Sequence, residues 1–175
     1  FGTNALKGIT SGNSNSAFGN LAGAYLSGSS SYNTIIGNDA VGVGTTSNYT
    51  TAIGTGALRN NIADYNTATG VYAGAGNTTG TANCSFGAYA GQNTTIGSWN
   101  NAFGYAALND NITGVSNNVM GYQALGVSTD AGYNVAIGYH SLKSLKTGDY
   151  NTAVGHRTLD AQTSGSYQVA LGAFA

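Results

Sequence analysis

Asn134-Val135-Ala136-Ile137-Gly138-Tyr139-His140-Ser141-Leu142 is the stretch whose reading decides the fold. One repeat later the chain reads Asn151-Thr152-Ala153-Val154-Gly155-His156-Arg157-Thr158-Leu159. One repeat earlier it reads Asn117-Asn118-Val119-Met120-Gly121-Tyr122-Gln123-Ala124-Leu125. The anchoring glycines are Gly2, Gly19, Gly37, Gly54, Gly70, Gly87, Gly104, Gly121, Gly138, Gly155 and Gly172. Their spacings are 17, 18, 17, 16 and then 17 six times. Self-similarity at a fixed short period is the signature of stacked repeats, and it settles the architecture ahead of any single residue.

The columns of the repeat say what each rung is made of. Directly before the glycine stand Phe1, Phe18, Ile36, Ile53, Thr69, Phe86, Phe103, Met120, Ile137, Val154 and Leu171. Two before it is an Ala column, interrupted by Ile35, Ser85 and Val119. Four before it is an Asn column: Asn15, Asn33, Asn66, Asn83, Asn100, Asn117, Asn134 and Asn151, with Thr50 and Gln168 as exceptions. Four after it comes Leu6, Leu58, Leu108, Leu125, Leu142 and Leu159, with Val41 once and Gly23, Gly74 and Gly91 elsewhere. A unit this small cannot bury its own apolar residues, but stacking turns each column into a continuous ridge. The segments are short, partly β-branched and bounded by Gly, Asn and Ser, which favours strands over helices.

The fold expected is therefore an all-β, parallel β-solenoid (a β-roll) of about ten 17-residue coils, forming a single repeat domain over 1–175. Each coil is read as a strand through the anchoring glycine, a turn, a weaker return strand and a second turn. With strands about 4.8 Å apart, ten coils make a rod of roughly 50 Å. Alternation predicts that the large residue before the glycine points into the coil. The Ala column and the glycine then present a smooth outer face for a second layer or another chain. On this facing Thr69 is the weakest core position. The Asn column is read as a ladder satisfying backbone groups rung by rung. Both ends of the chain fall in mid-repeat, so a section of a longer polypeptide is expected.

Composition excludes several function classes. Charged residues are 6% of the chain, against about 25% in a typical soluble protein. The net charge is -1. Nucleic-acid binding needs clustered cations, whereas Lys7, Arg59, Lys143, Lys146 and Arg157 are scattered. No apolar run is long enough to cross a membrane as a helix, so no membrane insertion is expected. The six Asp lie at six different offsets from the preceding glycine, and His140 and His156 have no further ligand in register. No catalytic site, metal site or cofactor is expected. Cys84, the single cysteine, reads as a passive small residue. Asn48, Asn77, Asn83, Asn93 and Asn111 open Asn-x-Ser/Thr sequons, close to what chance gives in a chain this rich in Asn, Ser and Thr.

Aromatic residues carry the functional lead. Five before the glycine stand Tyr32, Tyr49, Tyr65, Trp99, Tyr133, Tyr150 and Tyr167; one after it stand Tyr105, Tyr122 and Tyr139. Such ridges serve packing between coils or chains. Where exposed, they offer flat faces for sugar rings, and Trp99, Tyr105, Tyr122 and Tyr139 are the candidate glycan contacts.

The units Asn-Val-Ala-Ile-Gly-x-x-Ser (134–141), Asn-Thr-Ala-Val-Gly-x-x-Thr (151–158) and Gln-Val-Ala-Leu-Gly-x-x-Ala (168–175) resemble the Ser-Val-Ala-Ile-Gly-x-x-Ala units of trimeric autotransporter adhesin heads. The fuller Asn-Thr-Ala-Ile-Gly-Tyr-x-Ala-Leu form is similar to repeats of phage and bacterial tail-fibre-like proteins. The resemblance covers nearly the whole chain and implies a homotrimer of parallel β-rolls. It also implies an extracellular, cell-surface or virion location and a fibre-shaft or adhesive role. The repeat here is longer than in the adhesin heads, so a turn or the return strand must be enlarged. The competing readings are a self-assembling extracellular filament and an ice-binding solenoid. The latter would want two aligned Thr columns, and the column three before the glycine is mixed.

Overall fold

The computed structural model describes residues 2–43 and 46–175. It is an all-β, parallel β-solenoid. The strands are β1 (Ser16–Phe18), β2 (Thr34–Ile36), β3 (Thr51–Ile53), β4 (Thr67–Thr69), β5 (Cys84–Phe86), β6 (Asn101–Phe103), β7 (Asn118–Met120), β8 (Val135–Ile137), β9 (Thr152–Val154) and β10 (Val169–Leu171). They pair in chain order in one ten-stranded sheet. All pairs are parallel and hold the repeat register, with Ala136 opposite Ala153 and Ile137 opposite Val154. No helix occurs among the described residues.

The return strand does not form. Beyond the sheet, the described residues show only two isolated bridges, Ile9 with Gly28 and Thr147 with Ser164. The reason lies in the backbone. Three positions of most coils adopt left-handed φ, including the Tyr column (Tyr133, 58°), the second residue after the glycine (Gln123, 49°) and the Leu column (Leu125, 45°). These corners cannot lie in an extended strand, yet they aim their N–H groups along the rod axis. Leu125 N–H donates to the Ser141 carbonyl of the next coil at 2.9 Å, and Gln123 N–H donates to Tyr105 of the previous one at 2.9 Å. Stacked turns thus satisfy the backbone as a ladder does.

The facing of the strand is the reverse of the expected one. The Ala column points inward: Ala52, Ala68, Ala136 and Ala153 are fully buried, as is Ile35. The large residues before the glycine point out, with Phe18 48%, Met120 53% and Leu171 67% exposed. The coil is too narrow for two large inward columns. The Leu column fills it, together with the Ala column and a second row of small residues such as Ala57, Ala107 and Ala124. Where the Ala column carries Ile35, the Leu column of the preceding coil has Gly23, whose missing Cβ would stand 2.9 Å from Ile35 Cδ1. Volume is conserved across the two columns. Thr69 accordingly sits on the outer face and is no core defect.

The defect lies one coil further on. The buried apolar residues form two clusters, one ending at Ala73 and the other beginning at Ala90. Around this junction Gly74 and Gly91 replace Leu, Ser85 replaces Ala, and Asn77 and Thr94 are buried. Asn77 Oδ1, Thr94 Oγ1 and Asn111 Oδ1 are buried without a hydrogen-bond partner. From Ala90 to Ala153 the apolar core is unbroken.

The Asn column runs inside the coil as a bonded ladder. Asn117 Nδ2 donates to Asn100 Oδ1 at 3.0 Å and to the Ala131 carbonyl at 2.7 Å. Asn117 Oδ1 accepts the backbone N–H of Asn134 at 3.0 Å and its Nδ2 at 3.2 Å. The same pattern links Asn134 to Asn151 and Asn83 to Asn100. Thr50 still takes the Asn33 Oδ1 bond through its backbone N–H but offers no amide onward. Asn66 instead turns its amide to Asn61 Oδ1 at 3.0 Å.

Candidate binding surface

Three outward features remain once the interior is accounted for. The first is the sheet face, built from the residues one and three before each glycine. It is uncharged from β1 to β10 and carries Phe18, Ile36, Ile53, Phe86, Met120, Ile137 and Leu171 exposed. Phe86 and Phe103 stack on it at 5.2 Å. Thr stands beside the apolar residue in β2, β3 and β9 and beside Thr69 in β4, but Ser16, Cys84, Asn101, Asn118, Val135 and Val169 take its place elsewhere. That is no regular Thr array. Cys84 is half-buried here, and burial pushes its thiol up from the ordinary value.

The second feature is the Tyr column. Tyr32, Tyr49 and Tyr65 stack with centroids 4.9 and 5.1 Å apart and planes within 4°. Tyr133, Tyr150 and Tyr167 repeat this at 4.9 and 5.2 Å. Trp99 stands between the two stacks, flanked by Ala82 and Ser116, 61% exposed and with no ring contact among the described residues.

The third feature follows the glycine. Tyr105, Tyr122, Tyr139 and His156 form one stack at 5.2, 5.4 and 5.1 Å. The structure therefore unites Tyr105, Tyr122 and Tyr139 of the sequence candidates and leaves Trp99 apart, in the column on the other side of the strand. Before Tyr105 the stack turns: Tyr89 meets it edge-on, with planes at 75° and centroids 5.6 Å apart. A cleft of about 370 Å³ opens at that turn, edged by Tyr89, Gln92, Asn109, Asp110, Gln123 and Lys143. None of these six stood out as a binding residue. The signal was in the sequence, as the aromatic position moves from two after the glycine (Tyr72, Tyr89) to one after it (Tyr105 onward).

His140 lies beside this stack, its Nε2 3.0 Å from Gln123 Oε1. Burial first, then the charges of Lys143 and Arg157, lower its pKa from the ordinary histidine value. Among the described residues no group of three or more His, Cys or Asp could hold a metal ion. Among the described residues no helix is long and apolar enough to cross a membrane. Of the sequon asparagines, Asn77, Asn83 and Asn111 are buried, Asn48 is half-buried and Asn93 is exposed. Comparison of the chain with family models, curated proteins and solved structures finds no match.

Proposed function

We propose that this solenoid is a structural and adhesive segment of an extracellular or virion-associated fibre, and that copies self-associate through the sheet face as a homotrimer. The observation carrying the reading is the uncharged face that runs the length of the rod, one column of exposed large apolar residues (interrupted at Thr69) beside a mixed column of Thr, Asn, Ser, Cys and Val. With strands about 4.8 Å apart and the two columns covering a width of roughly 10 Å, the face measures on the order of 430 Å², about half of it apolar. Interfaces share this mixture of apolar and uncharged polar groups and a depletion of charge at their core. Straight stacked strands give a flat, stiff face, and association along it would bury what the coil itself cannot. The ring-stacked columns flanking the strand then remain at the outside for attachment.

Light scattering on the native segment tests this. The expected mass is three times the 17.5 kDa chain, and Ile53→Asp with Ile137→Asp, both on the outer face, is expected to give a folded monomer. A wild-type monomer overturns the association. Open-ended polymers would replace the trimer with a filament.

A further inference from the structure

The Tyr column is interrupted on both sides of Trp99, and the first interruption leaves a ring face bare. Tyr65 ends a stack: Tyr49 covers one face at 5.1 Å, and the other looks along the rod toward Ala82. Tyr65 is accordingly 60% exposed, against 49% for Tyr49 inside the stack. Trp99 follows one coil beyond Ala82 and shares the corner backbone, with φ 58° against 63° at Tyr65 and 54° at Ala82. Its side chain therefore leaves the coil as the tyrosines do. Two coil rises of about 4.8 Å separate Tyr65 from Trp99, so the slot over Ala82 measures roughly 10 Å from ring to ring.

A cleft of about 480 Å³ runs past Tyr65, lined among others by Asn48, Asp64, Thr79 and Thr81, the neighbour of Ala82. Asp64 is the one charged residue in its described lining. Asp64 Oδ1 accepts the Asn48 backbone N–H at 2.8 Å and Nδ2 at 3.1 Å. Among the described residues no cation pairs with its carboxylate, and Arg59 is held by Asp39 at 2.7 Å. The cleft is negative, with an open aromatic face beside it.

We infer that the slot over Ala82 binds a trimethylammonium group, such as that of choline. Carbon–carbon contacts of about 3.5–4.0 Å to each ring leave about 2–3 Å for the ligand's own carbon-to-carbon thickness. A trimethylammonium group has that thickness, whereas a flat ring, aromatic or sugar, leaves one wall untouched. Midway, the cation stands about 5 Å from each ring, inside the range of about 6 Å over which cation–π attraction acts, and that attraction is strongest for indole. Asp64 supplies the opposite charge without a hydrogen bond, which a quaternary ammonium cannot donate. The slot on the far side of Trp99, over Ser116, has Gly132 at the position of Asp64, and Asp130 there accepts from the Thr113 hydroxyl.

The inference names a ligand class for the attachment role proposed above, and the site is complete within one chain. Trp99 is the single tryptophan, so its fluorescence, or its indole N–H cross-peak, reports on this site alone. Titration with choline at constant ionic strength is expected to saturate in the millimolar range. The uncharged carbon isostere, with a tert-butyl group in place of the trimethylammonium, should bind at least about fivefold more weakly. Asp64→Asn keeps the acceptor that Asn48 supplies in the preceding coil, and should weaken choline roughly two- to fivefold, the worth of an exposed charge pair. Ala82→Tyr joins Tyr65 to Trp99 in one stack and should abolish binding, with circular dichroism checking the fold of each variant. Vesicles of phosphatidylcholine separate the sources: cosedimentation lost in Ala82→Tyr marks a lipid headgroup, and its absence beside choline binding marks a soluble carrier. An unsaturated or absent response to choline overturns the inference. So does equal affinity for the isostere, binding that survives Ala82→Tyr, or tighter binding of methyl glucoside. A trimer that binds no choline removes this inference alone, whereas a monomer that binds it removes only the trimer.

Discussion

Replacing Asn117 by Ala removes one rung of the internal amide ladder, and the loss can be followed bond by bond. Asn117 is fully buried. Its side chain donates to Asn100 Oδ1 and the Ala131 carbonyl, and accepts from Asn134 N–H and Nδ2. After truncation Asn134 Nδ2 keeps the Gly148 carbonyl at 3.0 Å, and Asn100 Oδ1 keeps the backbone N–H of residue 117. Two buried groups lose those partners, the Asn134 N–H and the Ala131 carbonyl. Each uncompensated buried polar group costs about 1–3 kcal/mol, so the variant should lose about 2–6 kcal/mol. The next residue supplies the control. Asn118 Oδ1 accepts one exposed bond from Asn101 Nδ2 at 2.9 Å; water replaces it, and Asn118→Ala should lose less than about 0.5 kcal/mol. Urea unfolding followed by far-ultraviolet circular dichroism measures both. Equal losses at the two positions, or a loss at Asn117 below about 1 kcal/mol, would refute the ladder as a source of stability.

Thr94→Val exchanges a buried hydroxyl without a partner for a methyl of the same shape, and should raise stability by about 1 kcal/mol; a lower melting temperature would show that Oγ1 is engaged. Gly121→Ala places a Cβ 2.4 Å from the Gly138 carbonyl oxygen at φ +140°. It should cost at least about 3 kcal/mol. Gly28→Ala at φ +58°, with nothing within 4 Å, should cost only about 1–2 kcal/mol, and the difference in urea midpoints tests the close stacking of anchors. His140 should titrate below the ordinary histidine value in an NMR pH series, and Lys143→Met should move it back up. Because its folded pKa is the lower one, the unfolded chain takes up the proton first. Stability is therefore level above about pH 6.5 and falls as the pH drops from there through the folded value. His140→Gln should remove that part of the acid dependence.

The coil and its period were legible because they depend on repetition, which a single sequence displays in full; the strand lies beside the anchoring glycine as expected but ends at the residue before it and does not run through it, because that glycine takes a positive φ. The facing of the strand was equally encoded but needed one more step. The Asn and Ala columns stand four and two before the glycine, so they share a face. An amide ladder that satisfies backbone groups belongs inside, and it carries the Ala column in with it. Reading size alone sent the large residues to the core. Size is a poor guide in a coil whose interior is already filled by a Leu column entering from the other side of the turn. The return strand failed for a different reason. Left-handed φ at Leu125 or Tyr133 is not announced by residue type, since Leu and Tyr ordinarily avoid it. Stacking imposes that conformation, because an N–H turned along the axis finds a carbonyl in the next coil.

A second ladder shows the same limit. Six before the glycine, Ser31 N–H donates to Asn48 Oδ1 at 2.9 Å, Asn48 N–H to Asp64 Oδ1 at 2.8 Å, and Gly132 N–H to Asp149 Oδ1 at 2.8 Å. The column mixes Ser, Asn, Asp and Thr, so it shows no repeat by identity, although every member but Val115 and Gly132 carries an acceptor. What repeats is a hydrogen-bonding role. It explains why Asp64 and Asp149, five coils apart, are held in equivalent turns and form no acidic cluster. The same logic bears on the cleft beside Tyr89. In a solenoid most side chains answer to the rung above and below, so a break in a column changes what its neighbours meet. Gly74 and Gly91 break the Leu column inside, where the consequence is a divided core. The aromatic step from Tyr89 to Tyr105 breaks a column outside, where it opens a cleft lined by both Asp110 and Lys143. Of these two breaks, the second faces solvent.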